Sequence, residues 1–191
     1  MEKTHVDVWT IPLGSPSPSY LSPDEVERAN RFKFEKDRVR WTRARSALRL
    51  VLSRYAGEDP VRLTFTYGKH GKPALPFTDV EFNLSHSGDW AMIAVTRAIQ
   101  VGVDIEQIRA NIEMAPLLER LGETDLSGTP RQLFQVWTRR EAKTKAAGGA
   151  LFDQPGDDIS VTDLEAPEGY AASLALVDGE PSIHYCGNGK R

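Results

Sequence analysis

The chain has 191 residues, 40% of them hydrophobic and 27% charged, and a formal net charge of −3 at pH 7. This is the composition of one globular domain, or of two small ones sharing a core, and its acidic balance argues against general nucleic-acid binding while allowing a local basic patch. The single cysteine, Cys186, excludes an internal disulfide and makes the cytosol the default compartment; the opening "MEKTHVDVWTIPLG" does not read as a signal peptide, and no apolar run approaches the roughly 20 residues of a membrane span.

His5 to Leu13 reads as the first strand, ended by Pro12 and the loop "GSPSPSY". "SPDE" is a helix start: Ser22 caps, Pro23 suits the first helical position, and Glu25 closes a capping box. After a break near Lys36 a long helix runs from about Asp37 to Tyr55, with Gly57 as its stop. Val61 to Tyr67 is expected as a strand, "GKHGKPALP" as a rigid loop, Val80 to Leu84 as a short strand, "SHSGD" as a turn and Trp90 to Thr96 as a returning strand. The next strand, "VGVDIE", begins at Val101, and a poorly patterned region with some helix follows from Asn111 to Gly128. Thr129, Pro130 and Gln132 repeat the start signal for a helix that runs to about Ala147 and stops at Gly148 and Gly149. Strands follow at Ile159 to Leu164, Tyr170 to Val177 and Ser182 to Tyr185, and the tail "GNGKR" is expected to fray. The halves share an order of elements, each with a glycine-stopped long helix and an aromatic-led strand of small residues ("WAMIAVT", "YAASLALV"). The similarity is too faint to count as a repeat, and the junction falls at Arg97 to Gln100.

Four stretches carry candidate chemistry. In "VGVDIE", Val101, Val103 and Ile105 mark one strand face, so Asp104 and Glu106 share the other. The two acids suit either a solvated face or a site where something neutralises them. The long helix carries six arginines between Arg38 and Arg54. Arg40 and Arg45 border its apolar stripe of Ala44, Ala47, Leu48, Val51, Leu52 and Tyr55, whereas Arg43 and Arg54 point away from it. This is either a solvated charged helix or an anion site. "FNLSHSGDW" places Asn83, Ser85, His86 and Ser87 where hydroxyls, an imidazole and backbone N–H groups suit a phosphate. Ser85 and His86 are adjacent in a strand, point to opposite faces, and so make a poor catalytic pair. In "WTRREAKTK", Trp137, Glu141 and Lys145 share a helix face. Glu141 and Lys145 are either a surface ion pair or cleft residues, with Glu141 a third carboxylate beside Asp104 and Glu106. Three oxygen ligands without a nearby Cys or His favour Mg²⁺ over Zn²⁺. No P-loop or dinucleotide glycine fingerprint is present.

Taken in order and spacing, "FNLSHSGDWAMIAV", "VGVDIE" and "WTRREAKTKAAGGAL" resemble the Sfp-type 4′-phosphopantetheinyl transferases, and "LSPDEVERANRFKFEKDRVRW" and "YGKHGKPAL" are similar to the amino-terminal half of that family. The resemblance spans roughly Leu21 to Val161. It implies an α/β (α+β) fold built as a pseudo-two-fold pair of similar subdomains, 1–97 and 98–191, each a small, mainly antiparallel sheet packed on a long helix. Coenzyme A is expected at their junction. The resemblance gives the 3′-phosphate and adenine side to the first subdomain, through Arg40, Arg45, Lys72, Pro73, Ser85 and His86, and the metal ligands and catalytic helix to the second. Asp104, Glu106 and Glu141 are expected to hold Mg²⁺ against the pyrophosphate, Lys145 to contact the phosphates, and Glu141 and Lys145 to be catalytic. The implied partner is an apo acyl or peptidyl carrier protein, with no nucleic acid and no membrane, and the enzyme is expected to be a cytoplasmic monomer. One departure is Arg140, where the family pattern has lysine: the charge is kept but its point-contact geometry is not. Two other readings use the same residues, an Mg²⁺-dependent nucleotide phosphohydrolase and a non-catalytic coenzyme A or carrier-protein binding module.

Overall fold

The computed structural model describes residues 3–110, 128–149 and 158–186, together with 116, 119 and 122. Nearly all of the region from Asn111 to Gly128, and the tail from Gly187, lie outside these. Among the described residues there are nine strands and three helices: β1 Thr4–Pro12, α1 Pro23–Asn30, α2 Glu35–Ala56, β2 Thr66–Tyr67, β3 Pro73–Ala74, β4 Val80–Ser87, β5 Trp90–Arg97, β6 Val101–Gln107, α3 Pro130–Ala146, β7 Ile159–Asp163, β8 Tyr170–Val177 and β9 Pro181–Cys186.

The expected helix punctuation operates. At α1, the Glu25 carboxylate accepts from the Ser22 N–H at 3.1 Å, and Pro23 takes the first helical position. At α3, Gln132 Oε1 accepts from the Thr129 N–H at 2.8 Å. Gly57 ends α2 in the left-handed region, φ 66°, which costs glycine nothing. Two expectations change. The strand expected over Val61 to Tyr67 survives only as Thr66–Tyr67, paired with Pro73–Ala74 around the expected loop. The expected turn at "SHSGD" begins later, because β4 continues through Ser87 and only Gly88 and Asp89 turn.

Two sheets face each other between two helices. The first has the order β4-β5-β1-β9, antiparallel except for the parallel β1–β9 pair; the second has the order β6-β8-β7 and is antiparallel throughout. The last strand, β9, thus crosses back to lie beside the first. Period two sorts each strand's faces. Val6, Val8, Met92 and Ala94 meet Val103, Ile105, Leu174 and Leu176 between the sheets, while Phe82, Ile93 and Val95 pack against Leu48 and Leu52 of α2. On the outer face of the second sheet, Ala142 and Ala146 of α3 bury against Ile159 and Ala175. Asp104 and Glu106 point to that same α3 side, so the placement of α3 decides what meets them.

Candidate active site

A seam of small polar side chains positions the site. β4 and β6 are the edge strands where the two sheets meet, and no backbone ladder joins them. Instead, alternate residues of β4 reach across. Asn83 Oδ1 accepts from the Val103 N–H at 2.9 Å, Ser85 Oγ from the Ile105 N–H at 3.4 Å and Ser87 Oγ from the Gln107 N–H at 3.1 Å. These rungs satisfy backbone groups that a bare sheet edge would leave unpaired. They also fix β6 in register with β4, and so fix Asp104 and Glu106.

The same two serines touch the acids. Ser85 Oγ donates to Asp104 Oδ1 at 2.8 Å and Ser87 Oγ donates to Glu106 Oε2 at 2.6 Å. From the other side, Lys145 Nζ of α3 donates to Asp104 Oδ1 at 2.5 Å and to Ser85 Oγ at 3.2 Å. α3 comes this close because β6 has Gly102 beneath it. A Cβ there would lie 2.1 Å from the Ala142 carbonyl oxygen and 2.5 Å from the Ala146 nitrogen, so any larger residue would push the helix away. Glu141 and Lys145 are half-buried and belong to one neighbourhood with Asp104 and Glu106.

That neighbourhood is short of positive charge. Burial raises the Glu106 carboxyl above its ordinary pKa, and repulsion from Asp104 adds to the rise against the Ser87 hydrogen bond and the Lys145 charge. Burial likewise raises Glu141, with Asp104 and Glu106 adding to it and Lys145 opposing. Asp104 is 2% exposed, and its Oδ2 is buried without a hydrogen-bond partner. Leaving a carboxylate oxygen so is costly unless something charged is meant to meet it. A hard divalent cation such as Mg²⁺ would suit an oxygen-only donor set of this kind, which Asp104, Glu106 and Glu141 would supply.

The residues expected around the 3′-phosphate divide. Arg45, Pro73 and His86 line one cavity of about 180 Å³, with Arg28, Trp41 and Tyr67 among its other walls. Arg45 is buried there, in an ion pair with Glu25, and its Nη2 donates to the Tyr67 hydroxyl at 2.9 Å. Arg49 donates to the other Glu25 oxygen at 2.5 Å, so two guanidinium groups share one carboxylate. His86 lies on the opposite face of β4 from Ser85. Desolvation pushes its imidazole pKa down, and the nearby Lys145 and Arg40 charges add to that. Arg40 is drawn to Asp89 at 2.7 Å. The Lys72 ammonium turns inward, donating to the carbonyls of Val101 at 3.0 Å and Lys145 at 2.9 Å, where it ties the β2–β3 hairpin to the carboxyl end of α3. Ser85 faces the acids rather than the cavity. Of Arg43 and Arg54, expected to point away from the apolar stripe, Arg54 is exposed and stacks 4.8 Å over the Trp9 ring, while Arg43 is half-buried and donates to the Leu13 carbonyl.

Sequence reasoning missed three things here: the rungs, whose trace is the alternation Asn83, Ser85, Ser87; the close approach at Gly102, whose trace is a glycine inside a buried strand; and the second task of Glu25, which leaves no local trace.

Comparison with known proteins agrees with this geometry. The family profile described as "4'-phosphopantetheinyl transferase, N-terminal" matches residues 16–98. The 4′-phosphopantetheinyl transferase HetI of a Nostoc species is 35% identical over 179 residues, covering 84% of this chain and 76% of its own. The 4′-phosphopantetheinyl transferase Sfp of Bacillus subtilis is 29% identical over 151 residues, 75% of this chain and 66% of its own. The transferase AcpT of Escherichia coli is 37% identical over 125 residues, 60% of each chain. These relatives agree with a buried acid cluster met by a lysine of the packed helix, and the chain belongs to the 4′-phosphopantetheinyl transferase family.

Proposed function

We propose that this enzyme moves the 4′-phosphopantetheine group of coenzyme A to a serine of an apo acyl or peptidyl carrier protein, with Mg²⁺ as cofactor and 3′,5′-ADP as the leaving product, and that it acts as a cytoplasmic monomer. The observation that carries this reading is the partnerless, buried Asp104 Oδ2 beside Glu106, Glu141 and Lys145. When bound, Mg²⁺ supplies charge neutralisation for the pyrophosphate and for the charge that develops as the bridging bond breaks.

The chain's own residues do the remainder. The cavity of Arg45, Pro73 and His86 takes the 3′-phosphate and adenine end, with the Arg45 guanidinium facing the phosphate. Arg40, half-buried and held by the exposed Asp89, adds a cation at the rim. Lys72 anchors the hairpin carrying Pro73 to the end of α3, so that the phosphate cavity and the acid cluster keep a fixed separation. The carrier serine oxygen forms a bond to the β-phosphorus while the bond from that phosphorus to the bridging oxygen breaks. The serine proton passes to Glu141, directly or through water. Lys145, within reach of Asp104 and Ser85, is placed to stabilise or protonate the departing phosphate.

The test is to incubate the enzyme with coenzyme A, Mg²⁺ and an apo carrier protein and to weigh the carrier. A phosphopantetheine mass gain that disappears on chelation is the expected result. Hydrolysis of coenzyme A without carrier modification would replace this reading with a phosphohydrolase, and binding without either product would replace it with a non-catalytic module.

A further inference from the structure

On the far side of the first sheet, a second constellation is independent of the transferase reading. His5 and Asp7 are i, i+2 on β1 and so share a face; His184 and Cys186 do the same on β9, and the parallel register sets Asp7 opposite His184 and Trp9 opposite Cys186. Three side chains converge on one oxygen. Asp7 Oδ1 lies 3.0 Å from His5 Nε2, 2.8 Å from His184 Nδ1 and 3.4 Å from Cys186 Sγ. Cys186 Sγ is also 3.3 Å from His184 Nδ1. Ligand atoms of His5, Asp7 and His184 all lie within 4.8 Å of one another. Donors on a tetrahedral zinc sit about 3.3–3.6 Å apart, given Zn–N of about 2.0–2.1 Å and Zn–S of about 2.3 Å. The two histidines are mostly exposed, at 67% and 64% of the side chain, and can make the small opening needed.

The other Asp7 oxygen is already held. Tyr55 of α2 donates its hydroxyl to Asp7 Oδ2 at 2.6 Å and accepts from Trp9 Nε1 at 3.3 Å. A ligating carboxylate is typically oriented in this way by an outer hydrogen bond. An open cleft of about 300 Å³, lined by His5, Asp7, Tyr55 and Arg97 among others, gives access from solvent.

From this geometry we propose that His5, Asp7 and His184, with Cys186 as fourth donor, bind one divalent transition-metal ion of the zinc class. Mixed nitrogen, oxygen and sulfur donors suit Zn²⁺ and exclude the hard Mg²⁺ that fits the acid cluster. The ion clamps the first strand to the last, joining residues 177 positions apart. Binding to the folded state alone multiplies the folding equilibrium by about 100 when the free ion is 100 times the Kd.

The test uses the full chain without an affinity tag, stripped by a chelator and held in saturating Mg²⁺ so that the acid cluster is not the site observed. Co²⁺ and then Zn²⁺ are titrated by absorption spectroscopy and calorimetry, and thermal unfolding is followed with and without Zn²⁺. One equivalent of Zn²⁺ is expected to bind, displacing Co²⁺, and to raise Tm; His5→Ala/His184→Ala should lose both effects while unfolding as cooperatively as the zinc-free parent. Cys186→Ser should abolish the thiolate-to-Co²⁺ band. Tyr55→Phe should weaken binding about 10–100-fold. Zn²⁺ binding or a Tm rise of equal size in the double histidine variant would overturn the site, as would the absence of saturable binding in the parent. A thiolate band unchanged in Cys186→Ser would remove Cys186 from it.

Discussion

The two sides of the sheet junction handle buried charge in opposite ways. On the α2 side, Arg45 and Arg49 close on Glu25, and Arg49 also donates to the carbonyls of Pro60 and Leu63 and to the Ser22 hydroxyl. The Glu25 carboxyl, which burial would raise, is instead held below its ordinary value by Arg49 and Arg45. On the α3 side, three carboxylates share a neighbourhood with Lys145, two of them have raised pKa values, and one oxygen of the third has no partner. The first cluster is an electrostatic problem already solved by the fold. The second is left for a ligand to solve. Burial of charge is common to both; unspent valence marks the functional one.

Substitutions can separate the two clusters. The largest effect is expected from Arg49→Ala, which leaves Glu25 short of a cation in a 2%-exposed setting. Breaking such a buried pair costs about 3–5 kcal/mol, read as a lower urea midpoint, with coenzyme A affinity per folded molecule little changed. Lys145→Ala should do the reverse. Tm should barely move, while single-turnover transfer falls about 10²–10³-fold, the usual worth of one positioned donor to developing negative charge. If both variants lose stability and rate alike, the clusters are not distinct in kind.

Arg45 sits between these extremes, since it is buried in the Glu25 pair yet lines the cavity. Arg45→Ala should weaken coenzyme A more than dephospho-coenzyme A by about tenfold or more, the value of a charged phosphate hydrogen bond of about 1.5–3 kcal/mol. Equal losses for both ligands would make Arg45 a structural residue like Arg49.

How much of this was legible in the sequence follows from how local each cause is. The capping residues Pro23, Glu25, Thr129 and Gln132 act within one turn, and the alternation in Val101, Val103 and Ile105 acts within one strand, so both were readable. The ordered motifs placed Asp104, Glu106, Glu141 and Lys145 together before any coordinates. What escaped depends on distant partners. Glu25 reads as a cap because its arginines lie 20 and 24 positions away. Lys72, expected beside the 3′-phosphate, instead turns to carbonyls of β6 and α3 that no local pattern marks. The strand expected at Val61 to Tyr67 has suitable residues, but only Thr66 and Tyr67 find a neighbouring strand to pair with.

The smallest expected effect tests the sign of the unsolved charge. A carboxyl whose folded pKa is raised penalises the fold as pH rises from its unfolded value, ordinarily 4.5 for glutamate, through the raised folded value. Without metal, Glu106→Gln should therefore raise Tm at neutral pH. The gain should vanish below pH 4 or on saturation with Mg²⁺. Glu25 has the opposite sign, contributing stability that is lost as pH falls through its lowered pKa. A Glu106→Gln protein that is less stable at neutral pH would show that the acid cluster is structural too.

The most direct measurement is single-turnover transfer to an apo carrier at saturating coenzyme A across a Mg²⁺ titration, with the parent and Glu141→Gln side by side. The variant is expected to need at least tenfold more Mg²⁺ and, if Glu141 also takes the serine proton, to stay slow at saturation. A variant with the parent's Mg²⁺ midpoint and the parent's rate would contradict the account, removing Glu141 from both the metal site and the proton transfer.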